Sequence, residues 1–260
     1  MPKYYRFVPS FLVKWLERVI RQDELNYLLL KNKDLEGVDF ANSILADLDI
    51  KLDVVNSDLL PEKGSGKYIF VSNHPLGGLD GMALISLLGK QYDKNIKFIV
   101  NDMLSQLTPF ADIFLPANKV GRQSHEVAAR INEAFMSDAQ VITFPAGLCS
   151  RRKSDGSVSD LEWTKGFISK SIQYRRDVVP IFFDGLNSNF FYKVAHLREK
   201  AGIKFNIEMI YLPGEVFKNH GKKFTIYIGK PIKWETFANG RSQRNLAQEV
   251  KQIVYNLKTQ

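Results

Sequence analysis

Between Lys67 and Gly81 the chain reads KYIFVSNHPLGGLDG, and a strand, a loop and a helix start must share those fifteen residues. The unbroken apolar run at 68–71 predicts a buried strand, ended by polar Ser72 and Asn73. His74, Pro75, Gly77 and Gly78 cannot extend it, so a histidine emerges at the strand end. Asp80 follows directly before GMALISLL, where a helix N-cap is expected. A flexible loop there can fold back and bring the carboxylate to the imidazole. That pairing has the geometry of a general base and its orienter, with Asp80 fixing the tautomer of His74. The same residues also suit a plainer arrangement, in which Asp80 only caps its helix and His74 is a loop histidine.

The rest of the chain alternates in a way that extends this unit. Apolar runs predict strands at 68–71, 96–100, 113–115, 140–144 and 178–183, with helices at 82–88, 126–135 and 164–174 between them. Later strands are expected at 207–211 and 224–228, and a closing helix at 245–257. Such an order predicts an α/β fold with a central, mostly parallel sheet flanked by helices and with ligands at the carboxyl ends of its strands. Ahead of it, helical patterns from Pro9, at 25–30 and at 35–48 read as an N-terminal helical preface. Ile50, Leu52 and Val54 add a short alternating strand before the linker at 61–66. The expected division is an N-terminal helical segment at 1–60 and the main domain at 61–260.

Charge narrows the partners. With 36 Lys and Arg against 28 Asp and Glu the chain carries a formal +8, which suits an anionic partner such as a membrane surface, a nucleic acid or an acidic carrier protein. No nucleic-acid motif accompanies the cations, so nucleic acid is the least favoured. A single cysteine, Cys149, excludes an internal disulfide and fits a reducing compartment. Nothing suggests that its thiol is activated. No apolar run reaches the roughly 20 residues needed to span a bilayer, and Lys14, Glu17 and Arg18 interrupt any signal-peptide core. The expected location is therefore cytoplasmic. Phe11, Leu12, Trp15, Leu16, Val19 and Ile20 recur at helical spacing, with Lys14, Arg18 and Arg21 opposite. With Lys3, Tyr4, Tyr5 and Arg6, this helix suits either a lipid headgroup layer or packing on the domain.

A second cluster follows the strand at 140–144: FPAGLCSRRK, where Pro145 and Gly147 stop the strand and Arg151, Arg152 and Lys153 follow. Guanidinium groups bind carboxylates and phosphates bidentately, so the loop suits an anion clamp, or else a solvated surface run.

Taken in order, these segments resemble the glycerolipid acyltransferase family. Asn73, His74 and Asp80 match its first block, although five residues rather than four separate His and Asp; Gly77 and Gly78 accommodate the extra one. DIFLPANKVGR loosely matches the second, with Lys119 or Arg122 as its cation. Phe144, Pro145, Gly147, Ser150 and Arg151 match the third, and VVPIFFDG with Pro180 the fourth. GKPI at 229–232 is similar to a further recurring feature. Ala146 stands where the third block usually carries glutamate, a departure that weighs against a glycerol-phosphate acceptor. NHPLGGLDG and FPAGLCSR look most like the branch of ornithine-lipid and glycine-lipid O-acyltransferases and proteins labelled haemolysins.

The resemblance implies transfer of a fatty acyl group from a thioester, acyl carrier protein or coenzyme A, to the hydroxyl of a lyso-lipid. His74 would be the base and Asp80 its orienter, with no metal and no further cofactor. Gly77 and Gly78 amides are candidates for the oxyanion. Arg151, Arg152, Lys119 or Arg122 would hold the acceptor head. The location so implied is peripheral, on the inner face of the cell membrane. Two other readings stay open: an acyltransferase making phosphatidic acid, and a basic lipid-binding or membrane-lytic protein without catalysis.

Overall fold

The computed structural model describes residues 9–101, 104, 106–117 and 125–259. In chain order its strands are β1 (Lys51–Val55), β2 (Tyr68–Ser72), β3 (Ile96–Asn101), β4 (Phe114–Ala117), β5 (Gln140–Thr143), a small hairpin of β6 (Arg151–Arg152) and β7 (Val158–Ser159), then β8 (Asp177–Asp184) and β9 (Lys223–Ile228). Seven of them form one sheet in the order β1-β9-β8-β2-β5-β3-β4. Every neighbouring pair is parallel except β8 with β9. The α/β expectation holds.

Apolar runs go to the middle of this sheet. All five residues of β2 are buried, and burying each Phe or Ile there is worth about 1.5–3 kcal/mol. Alternate residues then feed two cores. Phe70, Phe98, Ile142 and Val179 pack on one face with α3 (Gly37–Asp47) and α4 (Leu79–Gln91). Ile69, Val71, Val141 and Val178 pack on the other with α5 (His125–Met136), α6 (Gly166–Tyr174) and α9 (Gln243–Asn256). A third, smaller cluster of Cys149, Phe191, Tyr192 and Leu212 joins the loop after β5 to α7 (Asn189–Lys200) and α8 (Leu212–Lys218).

Proline inside a central strand needs an explanation, because it cannot donate to the ladder. Pro180 sits in β8 opposite Val71, and β9 ends beside it, where the Gly229 amide donates to the Pro180 carbonyl at 2.8 Å. A Cβ on Gly229 would lie 2.7 Å from Pro180 Cγ. The fourth block and GKPI are therefore two sides of one close backbone approach.

Several expectations are corrected. The stretch at 207–211 is a 3-10 turn, Ile207–Tyr211, not a strand; its apolar run has no period long enough to distinguish the two. Packing does not break at residue 60. β1 pairs with β9 in the main sheet, and α3 shares the core with α4. The helical preface proper is α1 (Ser10–Val19) and α2 (Gln22–Lys31). None of α1 is buried. Asp80 is not the N-cap of α4; Gly78 is, and Asp80 lies inside the first turn. α7, α8 and the β6–β7 hairpin were not foreseen, although Asp155-Gly156 is a recognisable hairpin turn signal.

Candidate active site

His74 leaves the carboxyl end of β2, and three anchors hold the loop that carries it. Asn73 acts as a false strand neighbour: its Nδ2 donates to Phe183 O at 2.9 Å and its Oδ1 accepts from Phe183 N at 2.7 Å. The His74 carbonyl accepts from the Ser150 amide at 2.7 Å. The His74 amide donates to Asp160 Oδ1 at 3.1 Å. Its ring stacks on Phe144 with centroids 4.0 Å apart and planes 19° from parallel. The first and third blocks thus meet face to face, as strands β2 and β5 are neighbours.

Asp80 completes the dyad. Its Oδ2 lies 3.0 Å from His74 Nδ1 and accepts from the Leu76 amide at 2.9 Å, while Oδ1 accepts from the Gly81 amide. Burial alone would push this carboxyl up. The charge and hydrogen bond of His74 and the two amides outweigh it and hold the group below the usual carboxylate range. An ionised Asp80 requires a proton on Nδ1, so Nε2 is the nitrogen left to accept one. Asp80 is fully buried and the His74 side chain is 15% exposed, so the imidazole meets solvent and the carboxylate does not.

Gly77 adopts φ +80°, a left-handed conformation that favours glycine. A Cβ there would fall 2.7 Å from Leu212 Cδ1, so α8 presses directly on the reaction loop. Gly78 precedes α4 and its carbonyl accepts the helix's first bond, from Met82.

The third block is more structural than the sequence implied. Pro145 and Gly147 form a turn closed by Gly147 N to Phe144 O at 2.9 Å, and Thr164 donates its amide to Pro145 O. Ser150 is buried and donates to Asp160 Oδ1 at 2.6 Å. Arg151 points inward: it pairs with buried Glu208 at 2.7 Å and donates to Cys149 O. Arg198 Nε lies 3.1 Å from the other Glu208 oxygen, close enough for an ion pair though not aligned as a hydrogen bond. With its charge met, Arg151 is a brace under α7 and not an open anion clamp. Arg152 keeps an exposed face, donating to Asn189 Oδ1 at 2.8 Å with its guanidinium 4.8 Å from the Tyr192 ring centre. Burial pushes the Cys149 thiol up to about 11, against the pull of Arg151, so it is no nucleophile. Lys119 and Arg122 lie outside the described residues.

Sequence reading missed Asp160, which carries the site's second buried carboxylate. Besides His74 N and Ser150 Oγ it accepts from Trp163 Nε1 at 2.8 Å. One acid thereby orients the ring and another fixes the backbone. Two open clefts, of about 730 Å³ along α1 and α2 and about 490 Å³ near Tyr68 and Trp234, include neither acid nor His74. Chemistry, not cavity size, marks the site. Among the described residues no cluster of His, Cys, Asp and Glu could hold a metal ion.

The family model described as "Acyltransferase" matches residues 1–260. The chain belongs to the acyltransferase family. This acyltransferase is 48% identical over 256 residues to a lyso-glycine lipid O-acyltransferase of Bacteroides thetaiotaomicron, covering 98% of this chain and 93% of that protein. It is also 48% identical to the lyso-glycine lipid O-acyltransferase of Phocaeicola vulgatus, over 98% of this chain and 90% of that one. Among solved structures it is similar to the 1-acyl-sn-glycerophosphate (LPA) acyltransferase PlsC from Thermotoga maritima, with 16% identity, TM-score 0.49 and coverage of 96% and 98%.

Proposed function

We propose that this acyltransferase moves a fatty acyl group from an acyl thioester to the free hydroxyl of a lyso-glycine lipid, with His74 as general base. The 3.0 Å contact between His74 Nδ1 and Asp80 Oδ2 carries the chemical reading; two relatives of that activity, each 48% identical across 98% of this chain, carry the acceptor. Nε2 takes the hydroxyl proton as the oxygen attacks the thioester carbonyl, and Asp80 stabilises the imidazolium that forms. The tetrahedral oxyanion collapses, expelling the thiolate, which recovers the proton from His74. No enzyme-bound acyl group is needed.

Gly77 and Gly78 stand at the amino end of α4, where backbone N–H groups and the helix dipole favour a developing negative charge. Arg152, exposed and two residues beyond the Ser150 that is tied to the His74 carbonyl, is the cation assigned to the carboxylate of the glycine head, since Arg151 is committed to Glu208. Ala146, in place of glutamate, fits an acceptor without phosphate. A lipid acceptor also gives α1 a purpose. Phe11, Leu12, Trp15 and Leu16 are exposed, as a helix lying in a headgroup layer requires, and Lys14 and Arg18 favour an anionic leaflet. Among the described residues no helix is long and apolar enough to cross a membrane.

The test is acyl transfer by purified protein from an acyl carrier protein thioester and from an acyl coenzyme A, offered lyso-glycine lipid, lyso-ornithine lipid or lysophosphatidate. Diacyl product from the glycine acceptor, lost in His74→Ala, is the expected outcome. Preference for lysophosphatidate would replace the acceptor, and undiminished product in the variant would remove the base.

A further inference from the structure

Exposed apolar side chains are not spread evenly. Of eighteen large ones among the described residues, seven lie on α1 and α2 and five lie between residues 186 and 205. Of the remaining six only Leu104 and Leu107 adjoin and the other four stand singly, which is ordinary for a surface. The second concentration is Leu186, Phe190, Leu197, Ile203 and Phe205, with Leu197 64% and Phe205 73% exposed.

The fold explains why they face outward. α7 buries Phe191, Tyr192 and Ala195 against the cluster containing Cys149 and Leu212. Phe190, Lys193, Leu197 and Lys200 then fall on another stripe, at helical spacing. After α7 the chain turns back, Ile203 N donating to Arg198 O and Arg198 Nη1 to Ile203 O, which keeps Ile203 beside the helix end. Lys193, Lys200 and Lys204 intersperse the apolar side chains, and the lone acid of the stretch, Glu199, is paired with Arg198. Bulky apolar groups set among lysines that have no acidic partner among the described residues are complementary to an anionic lipid surface. A carrier protein, by contrast, would need the cations but not two phenylalanines and two leucines.

Packing links this ridge to α1 and to the reaction loop. Phe190 meets Tyr211 edge-on at 5.0 Å, and Lys218 Nζ lies 5.6 Å from its ring centre. α8, between them, reaches α1: a Cβ on Gly214 would be 3.4 Å from Val19 O, and Arg21 lies 4.9 Å over Phe217. Leu212 of the same short helix presses on Gly77.

We propose that α7 and the turn after it form a second membrane-contact ridge, which with α1 seats the molecule on an anionic bilayer beside the His74 loop. The inference rests on a lipid acceptor but is tested apart from it. Full-length protein is floated with vesicles of phosphatidylethanolamine and phosphatidylglycerol, and turnover is measured with lyso-lipid in vesicles and in detergent micelles. Leu197→Glu/Phe205→Glu, at exposed positions, should cut flotation about tenfold or more and lower turnover in vesicles while leaving micellar turnover and the melting temperature unchanged. Lys200→Gln/Lys204→Gln should reduce flotation by a smaller factor, and only with anionic lipid. Flotation of the Leu197→Glu/Phe205→Glu protein equal to wild type would overturn the proposal. So would a variant that floats normally but loses turnover with carrier protein, or that turns a wild-type dimer into a monomer, since either assigns the ridge to a protein. Absence of glycine-lipid product from wild type in micelles would refute the acceptor without touching flotation.

Discussion

The two ends of the sheet bury charge in opposite ways. At the amino ends of the strands, Arg176 is completely buried and donates to five carbonyls, those of Phe135, Tyr68, Ala139, Ala134 and Ser137. Burial pulls its guanidinium down to about 10, which still leaves it charged at neutral pH. At the carboxyl ends, Asp80 and Asp160 are buried against His74, one holding its ring and the other its amide. Arg176 has its charge answered by fixed backbone, so that end is locked. His74 is held twice and still keeps one ring nitrogen for chemistry. A buried charge surrounded by backbone makes a fastening; a buried charge behind a partly exposed imidazole suits the base proposed above.

Substitutions at the two ends should therefore separate activity from stability. The largest effect is expected from His74→Ala, a loss of about 10²–10⁴-fold in kcat with the thermal melt little changed. An equal fall in stability would break the contrast. Arg176→Met should do the reverse, costing roughly 3 kcal/mol in denaturant titration, because five carbonyls lose their donor, while kcat per folded molecule persists. Asp160→Ala should lower kcat about tenfold with KM unchanged, as the loop shifts under His74; Asp160→Asn, which keeps an acceptor for the His74 amide, should recover most of it.

Asp80 sharpens the comparison through pH. Its folded carboxyl titrates below its unfolded value, so its stabilising charge is fully present above about pH 4 and is lost as pH falls through the folded value. The stability gap between wild type and Asp80→Asn, followed by denaturant melts across pH, should be widest near neutrality and close on acidification. The smallest effect is at Cys149. With its thiol at about 11 and buried, alkylation at mildly alkaline pH should proceed only through unfolding, and so faster in Arg176→Met than in wild type.

Much of this was legible in the residues, for reasons that differ by element. β2, β5 and β8 are largely apolar runs between loop signals, and a strand buried on both faces has little other sequence form. His74 and Asp80 were legible because chain neighbours hold them: six residues and one loop decide their contact. Asp160 was not, because nothing local links it to a histidine 86 positions earlier; only the adjacency of β2 and β5 brings them together. Arg151 misled for the same reason. A cation in a loop looks open until Glu208, 57 residues on, is folded over it. α7 was hard to read because its outward stripe mixes Phe190 and Leu197 with Lys193 and Lys200, which blurs the amphipathic pattern that reveals surface helices.

The pairing of β1 with β9 has a consequence for synthesis. Lys51 waits for Lys223 before its strand has a neighbour, so a ribosome releases the amphipathic α1 and α2 long before the sheet can close behind them. Both helices are thus made while the edge strand β1 that follows them still lacks its only sheet neighbour.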